Sequence, residues 1–280
     1  MHYRKTAPPP SLADHVRCIW TLTADAPPGG SRPEPVIPDG CAEVVLNLGD
    51  PYEALTAEGR SRRQPAAMIV GQITAALSLR TVGRSRLLGI RLQPWAGGAL
   101  LGVPMADLRD GYVEASAVAP AFAALRERLG EEPTSRWAHV TGAFLEARVA
   151  PGPAPTLARA AVQRIVRGAG REPVEAVAAA LASTPRSVER ALREHAGLAP
   201  RDLRRIVRIQ GAVRRLRTAR SVVLGRIALE AGYYDQPHFC REFRRMAGLS
   251  PTEFLARERP LTEVFLAGDE AAASAEAAPR

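Results

Sequence analysis

The sequence contains one lysine, Lys5, and three cysteines among its 280 residues. Cys18, Cys41 and Cys240 are odd in number, widely spaced and free of any CxxC. That spacing argues against a disulfide framework or a thiolate zinc site and suits a reducing cytoplasm. No run of eighteen apolar residues occurs, so no segment reads as a membrane-spanning helix and no membrane partner is expected. The stretch MHYRKTAPPPSLADH has no apolar core followed by a small-residue cleavage site, so no signal peptide is expected. Catalytic signatures are missing as well: there is no GxSxG, Walker or GxGxxG motif. The five histidines, at 2, 15, 139, 195 and 238, form no HxH, which leaves a metal-binding cupin site little support. The chain is therefore not expected to be an enzyme, and no cofactor or metal is expected.

What is abundant is arginine. The net charge is +9 and the isoelectric point is near 10.4, which invites a nucleic-acid partner. A composition rich in Ala, Arg and Pro can also reflect a GC-rich coding sequence, so the position of the charge is more telling than its total. Residues 1–170 hold 19 basic and 15 acidic groups, whereas residues 171–260 hold 18 arginines against 10 acids. The last twenty residues reverse the sign, with one arginine and four acids.

The first hundred residues read as β-rich. RCIWTLT (17–23), AEVVLNLG (42–49), AAMIVG (66–71), LSLRTVG (77–83) and LLGIRLQP (87–94) are short β-branched or alternating runs between Pro, Gly and Asp punctuation. That rhythm predicts a small barrel or sandwich. Residues 120–130 and 135–149 then take helical spacing, with Phe122, Leu125 and Leu129 on one stripe and Trp137, Val140 and Phe144 on another. Such stripes are usually core; dimerisation is their alternative use. APGPAPT (150–156) has a linker composition, the following residues read as helical to about 258, and the acidic low-complexity end reads as a disordered tail. The expected organisation is α+β: a β-rich domain with trailing helices over 1–150, a linker over 151–159, an all-α domain over 160–258 and a tail over 261–280.

The second domain contains a repeat. VEAVAAALASTPRSVERALREHAGLAP (174–200) aligns with LGRIALEAGYYDQPHFCREFRRMAGLSP (224–251): Val188 with Phe239, Arg190 with Arg241, Leu192 with Phe243, Arg193 with Arg244. Each copy predicts a short helix, a turn and a second helix. The second helix starts after Ser183 or Thr184 in one copy and after Asp235 in the other, and ends at Gly197 or Gly248. Helical spacing turns Val188, Leu192 and His195 inward in the first copy, and Phe239, Phe243 and Met246 in the second. Arg186, Arg190 and Arg193 point outward, as do Pro237, Arg241, Arg244 and Arg245, with His238 at the flank. Between the copies, RDLRRIVRIQGAVRRLR (201–217) predicts a helix of about 26 Å at roughly 1.5 Å per residue. A helix of that length, with a turn at each end, can hold two recognition helices roughly 34 Å apart, one turn of duplex DNA.

IALEAGYYDQPHFCREFRRMAGLSPTEF (227–254) resembles the signature of the AraC/XylS family of bacterial transcription regulators, and residues 160–258 resemble its double helix-turn-helix domain. The resemblance implies a sequence-specific transcription regulator, cytoplasmic and nucleoid-associated, that engages two successive major grooves of double-stranded DNA. It also implies that base contacts come from Arg186, Glu189 and Arg190 in the first recognition helix and from Gln236, Pro237 and Arg241 in the second. Arg190 and Arg241 suit bidentate contact with guanine and Gln236 suits adenine, while Glu189 could accept from a cytosine amine or position an arginine. Pro237 departs from the polar residue often found at its position. Arg193, His238, Arg244 and Arg245 are assigned to phosphates. PEPVIPDGCAEVVLNLGDPY, VGQIT, LLGIRLQPWAGGALLGVP and VRCIWTL resemble an N-terminal domain recurrent in one branch of these regulators. That branch implies a sensing domain for a small-molecule effector, a homodimer and, for an activator, RNA polymerase as partner. Two alternatives stand beside this reading: a redox-responsive regulator using Cys18 and Cys41, and an enzymatic N-terminal domain. DNA-repair methyltransferases with this type of DNA-binding domain need a cysteine cluster that three dispersed cysteines cannot supply.

Overall fold

A computed structural model of the chain describes residues 1–56, 60–148, 155–218 and 222–256. Its first half is built from ten strands: β1 (His2–Thr6), β2 (Val16–Asp25), β3 (Glu34–Val36), β4 (Glu43–Asn47), β5 (Glu53–Leu55), β6 (Ser61–Arg63), β7 (Ala67–Val70), β8 (Leu77–Arg80), β9 (Arg84–Leu92) and β10 (Tyr112–Glu114). They form two antiparallel sheets, one of six strands in the order β1-β2-β9-β4-β7-β10 and one of four in the order β3-β8-β5-β6. Five of these strands cover the apolar runs picked out in the sequence. The other five were not expected, because β3, β5, β6 and β10 have three residues each and β1, HYRKT, is polar. Pairing with neighbours, rather than a hydrophobic pattern, holds such strands.

The large sheet is buried on both faces, which explains why its central strands read as nearly continuous apolar runs. Side chains alternate with a period of two. Cys18, Trp20 and Leu22 of β2, Val45 of β4 and Leu87 of β9 share one cluster. Ile19, Val44, Leu46, Leu88 and Ile90 share another, on the opposite face. Gly89 sits directly across from Trp20 in the ladder, and a Cβ there would overlap the indole, so this strand glycine is a seat for the ring.

The second face is covered by helices. After α1 (Gly97–Leu101), a 3-10 turn (Met105–Leu108) and α2 (Ala115–Val118) come α3 (Pro120–Gly130) and α4 (Trp137–Arg148). Phe122, Leu125, Leu129, Trp137, Val140 and Phe144 are all buried in the same cluster as the sheet. Their stripes are therefore core, and the dimerisation alternative loses this surface. Trp137 also donates its indole N–H to the Leu129 carbonyl at 2.9 Å, locking the two helices together.

The second half is helical: α5 (Thr156–Arg167), α6 (Val174–Ala180), α7 (Pro185–Ala196), α8 (Pro200–Thr218), α9 (Leu224–Glu230), α10 (Gln236–Ala247) and α11 (Pro251–Leu255). The expected linker over 151–159 begins outside the described residues, and its last part is helical rather than extended. Pro155 precedes the first turn, and Ala158, Ala161, Val162 and Ile165 form a buried stripe that draws 156–159 into α5. The tail over 261–280 lies outside the described residues.

The two halves share apolar and polar contacts. Ile37, Trp95 and Ala96 of the first half belong to the core cluster of the second. Gln210 of α8 donates to the Pro38 carbonyl at 2.6 Å, and Arg109 pairs with the buried Asp202 at 3.1 Å. No helix among the described residues is long and apolar enough to cross a membrane.

Candidate nucleic-acid interface

The repeat in the sequence becomes two helix-turn-helix units, α6–α7 and α9–α10, on either side of α8. Local chemistry sets where each second helix begins and ends. Thr184 accepts the Ser187 backbone N–H at 3.1 Å, and Asp235 accepts that of His238 at 2.7 Å; each is followed by proline in the first turn. Gly197 and Gly248 close the helices with φ of 71° and 72°, the left-handed conformation that favours glycine. Inward, Val188 and Leu192 of α7 and Phe239, Phe243 and Met246 of α10 are fully buried. Phe243 stacks edge-on against Phe239 and Phe254 at 5.6 and 5.5 Å. The aromatic side chains thus fasten α10 to its domain and leave the arginines on its outer face.

On that outer face Arg186, Arg190 and Arg193 of α7 are exposed, as are Gln236, Pro237, Arg241, Arg244 and Arg245 of α10. Glu189 and His238 are half-buried. Among the described residues, Arg186, Arg190, Arg241 and Arg244 have no ion pair, whereas Arg193 pairs with Glu189 at 2.9 Å and Arg245 with Glu242 at 3.1 Å. Glu189 is thus held against Arg193, one turn along the same helix. His238 stands edge-on to Tyr233 at 5.4 Å, so its ring is held at the flank of α10. His195 differs from expectation. It lies half-buried beside Gly98 of α1 rather than in the helical core, because the N-terminal half covers the end of α7.

Two features were not read from the sequence. Tyr234, 88% exposed, stands immediately before the Asp235 cap; an aromatic with no place on the inward stripe was the available signal. The second is a cleft with Arg186, Glu189, Arg190 and Arg193 on one wall and Gly98, Gly102, Val103 and Pro104 on the other. The glycine spacing of GGALLGVP carries it, since a Cβ at Gly98 would press on the Glu194 carbonyl at 3.1 Å.

The cysteines fare differently as a redox pair. Cys18 and Cys41 are both buried. Burial pushes the Cys18 thiol up, with Arg91 and Lys5 opposing, which disfavours the thiolate that redox chemistry requires.

Comparison with known proteins agrees with the two-part architecture. Residues 4–114 match a domain of unknown function, DUF6597, and residues 177–257 match a helix-turn-helix domain of the AraC type. An uncharacterised HTH-type transcriptional regulator of Haemophilus influenzae is 37% identical over 65 residues, which is 23% of this chain and 22% of that protein. The matched stretch thus spans about a fifth of that relative. Among solved structures, ToxT from Vibrio cholerae is 10% identical, with 91% of this chain and 98% of that chain covered and a TM-score of 0.47. The C-terminal domain of AraT, a response regulator from Geobacillus stearothermophilus, is 24% identical over 39% of this chain and 88% of its own, with a TM-score of 0.35. The two family matches divide the chain as the fold does, with a domain of unknown function ahead of a C-terminal helix-turn-helix domain of the AraC type.

Proposed function

We propose that the chain is a sequence-specific transcription regulator that lays α7 and α10 into two successive major grooves of duplex DNA, under control of a small-molecule effector in the N-terminal domain. The observation that carries this reading is the duplicated outer face. Arg190 and Arg241 occupy equivalent, exposed and unpaired positions on two capped helices joined by one long helix. Free guanidinium groups at repeated positions suit bidentate contact with guanine, and Gln236 suits adenine. Arg186, Glu189 and Pro237 lie beside these base readers, with Glu189 acting through Arg193. Arg193, His238, Arg244 and Arg245 contact phosphates, which fix register without reading sequence. The reading includes a second copy of the chain as partner, RNA polymerase where the regulator activates, and the cytoplasm and nucleoid as its location.

The test is a titration against a duplex selected from a random pool and against its scrambled counterpart, at several salt concentrations. Neutralising about six phosphates gives an expected slope of roughly −5 in log K against log salt. The selected duplex should bind at least about a thousandfold tighter than the scrambled one. A binding constant flat across salt, or equal for both duplexes, overturns the reading.

A further inference from the structure

The two sheets enclose a cavity of about 90 Å³. Leu22, Val45 and Met68 wall it from the large sheet, and Val36, Leu77 and Leu79 from the small one. Its polar end is different in kind. Arg91, 2% exposed, points its Nε at Glu43 Oε1 (2.5 Å) and at Asp39 Oδ2 (3.3 Å), and all three residues line the cavity. Trp20 adds its indole N–H to Glu43 Oε1 at 3.3 Å. Two carboxylates therefore face one guanidinium inside an apolar shell. Neither Arg17, which donates to Cys41 Sγ at 3.4 Å, nor Lys5 lines the cavity.

A second group points the same way. Tyr52, also 2% exposed, lines the cavity, and its hydroxyl has no hydrogen-bond partner among the described residues. The neighbouring Ser85 hydroxyl is buried and likewise without a hydrogen-bond partner among the described residues, and it stands near enough to act on the Tyr52 phenol. Burial pushes the Tyr52 phenol up to about 12, so it remains a neutral hydroxyl at physiological pH. Buried polar groups in native proteins are ordinarily partnered, and a buried charge costs heavily unless it is balanced. The site thus has an apolar wall, two carboxyl groups to one guanidinium, and the buried Tyr52 hydroxyl.

We propose that this cavity binds a small amine, with its apolar body between the sheets and its cationic nitrogen held by Asp39 and Glu43 beside Arg91. The proposal rests on the effector reading above and adds the chemical class. A cationic nitrogen balances the second carboxylate, whereas a carboxylate ligand would add a third negative charge to the cluster. Burial pushes the Glu43 carboxyl up, with Arg91 opposing, so a nearby cation also favours its ionised form. The volume sets the size. An apolar cavity of roughly 150 Å³ accepts benzene, so this smaller one suits a short aliphatic chain rather than a ring.

The same residues reach the helix between the recognition helices. Ile37 lines the cavity and belongs to the core of the helical half. Pro38 accepts the Gln210 amide at 2.6 Å, and a Cβ on Gly40 (φ 78°) would touch Leu203 and Ile206 of α8 at 3.5 and 3.6 Å. An amine drawn to Asp39 therefore acts on a segment already seated on α8, and a ligand whose contacts differ between two arrangements of that segment shifts their balance.

The experiment is calorimetric and thermal-shift titration of the full chain with propylamine, isobutylamine and isoamylamine, each against its matched alcohol, carboxylate and hydrocarbon. At least one of these amines should bind at least about tenfold tighter than its matched alcohol, the factor equivalent to roughly 1.4 kcal/mol. The carboxylates should not bind. Glu43→Gln should erase the amine's advantage over the alcohol. Because that substitution disturbs Arg91, Leu79→Phe is the second arm: it fills the cavity without touching the charges and should abolish binding while the circular dichroism spectrum stays native. If no amine exceeds its alcohol, or if Leu79→Phe binds amines as well as the parent, the proposal is wrong. DNA affinity measured in the same samples separates the two readings. An amine that binds without changing DNA affinity leaves the site and removes the effector role; an alcohol or carboxylate that binds and changes DNA affinity keeps the effector role and removes the amine.

Discussion

The two helix-turn-helix units are copies in sequence and unequal in surroundings. α10 has its recognition face exposed, and at its end a Cβ added to Gly248 would meet the Cβ of Ala76, in the N-terminal half, at an ordinary 3.6 Å. α7 ends against the N-terminal half: Gly197 abuts the Met105 carbonyl closely enough that a Cβ would collide with it, and α1 lies against Glu194 and His195. The arginines differ too, since Arg193 is paired with Glu189 while its counterpart Arg244 has no ion pair among the described residues. The difference teaches that a repeat fixes the geometry of each unit but not its accessibility. Both copies end beside the domain ahead of them, α10 at ordinary contact distance from Ala76 and α7 pressed against Met105.

The largest expected effect tests the anchors. Phe243 and Leu192 occupy the same place in the two copies, and both are fully buried. Phe243→Ala should cost about 3–5 kcal/mol of stability and Leu192→Ala less, about 2–4, in urea unfolding, because the ring removes more packed volume. Equal costs would mean that the aromatic spine adds nothing beyond its aliphatic counterpart. Next come the two closing glycines, which share the same backbone conformation and differ in what lies beyond it. Gly248→Ala should cost about 1–2 kcal/mol, the left-handed strain alone. Gly197→Ala should add about 1–3 kcal/mol from overpacking against Met105. If the two melt alike, the border between α7 and the 3-10 turn is looser than described.

Smaller effects belong to DNA. Arg241→Ala and Arg190→Ala should each lose about 1–3 kcal/mol on the selected duplex and little on the scrambled one. Arg244→Ala should weaken both duplexes by similar factors and reduce the salt slope by about one. Loss on both duplexes alike for Arg241→Ala ends its assignment as a base reader. The smallest expected effect is at Arg193. An exposed pair such as Arg193–Glu189 contributes about 0–1 kcal/mol to the fold, and its carboxylate offsets the guanidinium. Arg193→Ala should therefore change the salt slope less than Arg244→Ala, and Glu189→Ala should strengthen non-specific binding slightly.

Much of this molecule was legible in its sequence where the signal is local. Capping residues, closing glycines and the 3.6-residue period located α7 and α10, and the inward and outward faces follow from the same spacing. The five strands picked out were legible because each carries an apolar run or an apolar alternation. The other five were not, because hydrogen bonding to neighbours rather than composition makes them strands. The cluster of Asp39, Glu43 and Arg91 was also hidden: its members lie in a loop and on two strands, and only the β4–β9 ladder, which sets Glu43 opposite Arg91, brings them together. The cover over α7 was invisible for the same reason, since nothing local in GGALLGVP says which helix it will meet.

α8 runs unbroken from Pro200 to Thr218. A helix behaves as a stiff rod, so under the proposed reading the interval between half-sites is a property of the protein and cannot be negotiated with the promoter. One base pair inserted between the half-sites turns the second by roughly 34° around the duplex axis, and one residue inserted into α8 turns α10 by about 100°. Neither lesion can repair the other. Spacer length should therefore be the least forgiving feature of any operator this chain recognises, less tolerant of change than any single base within it.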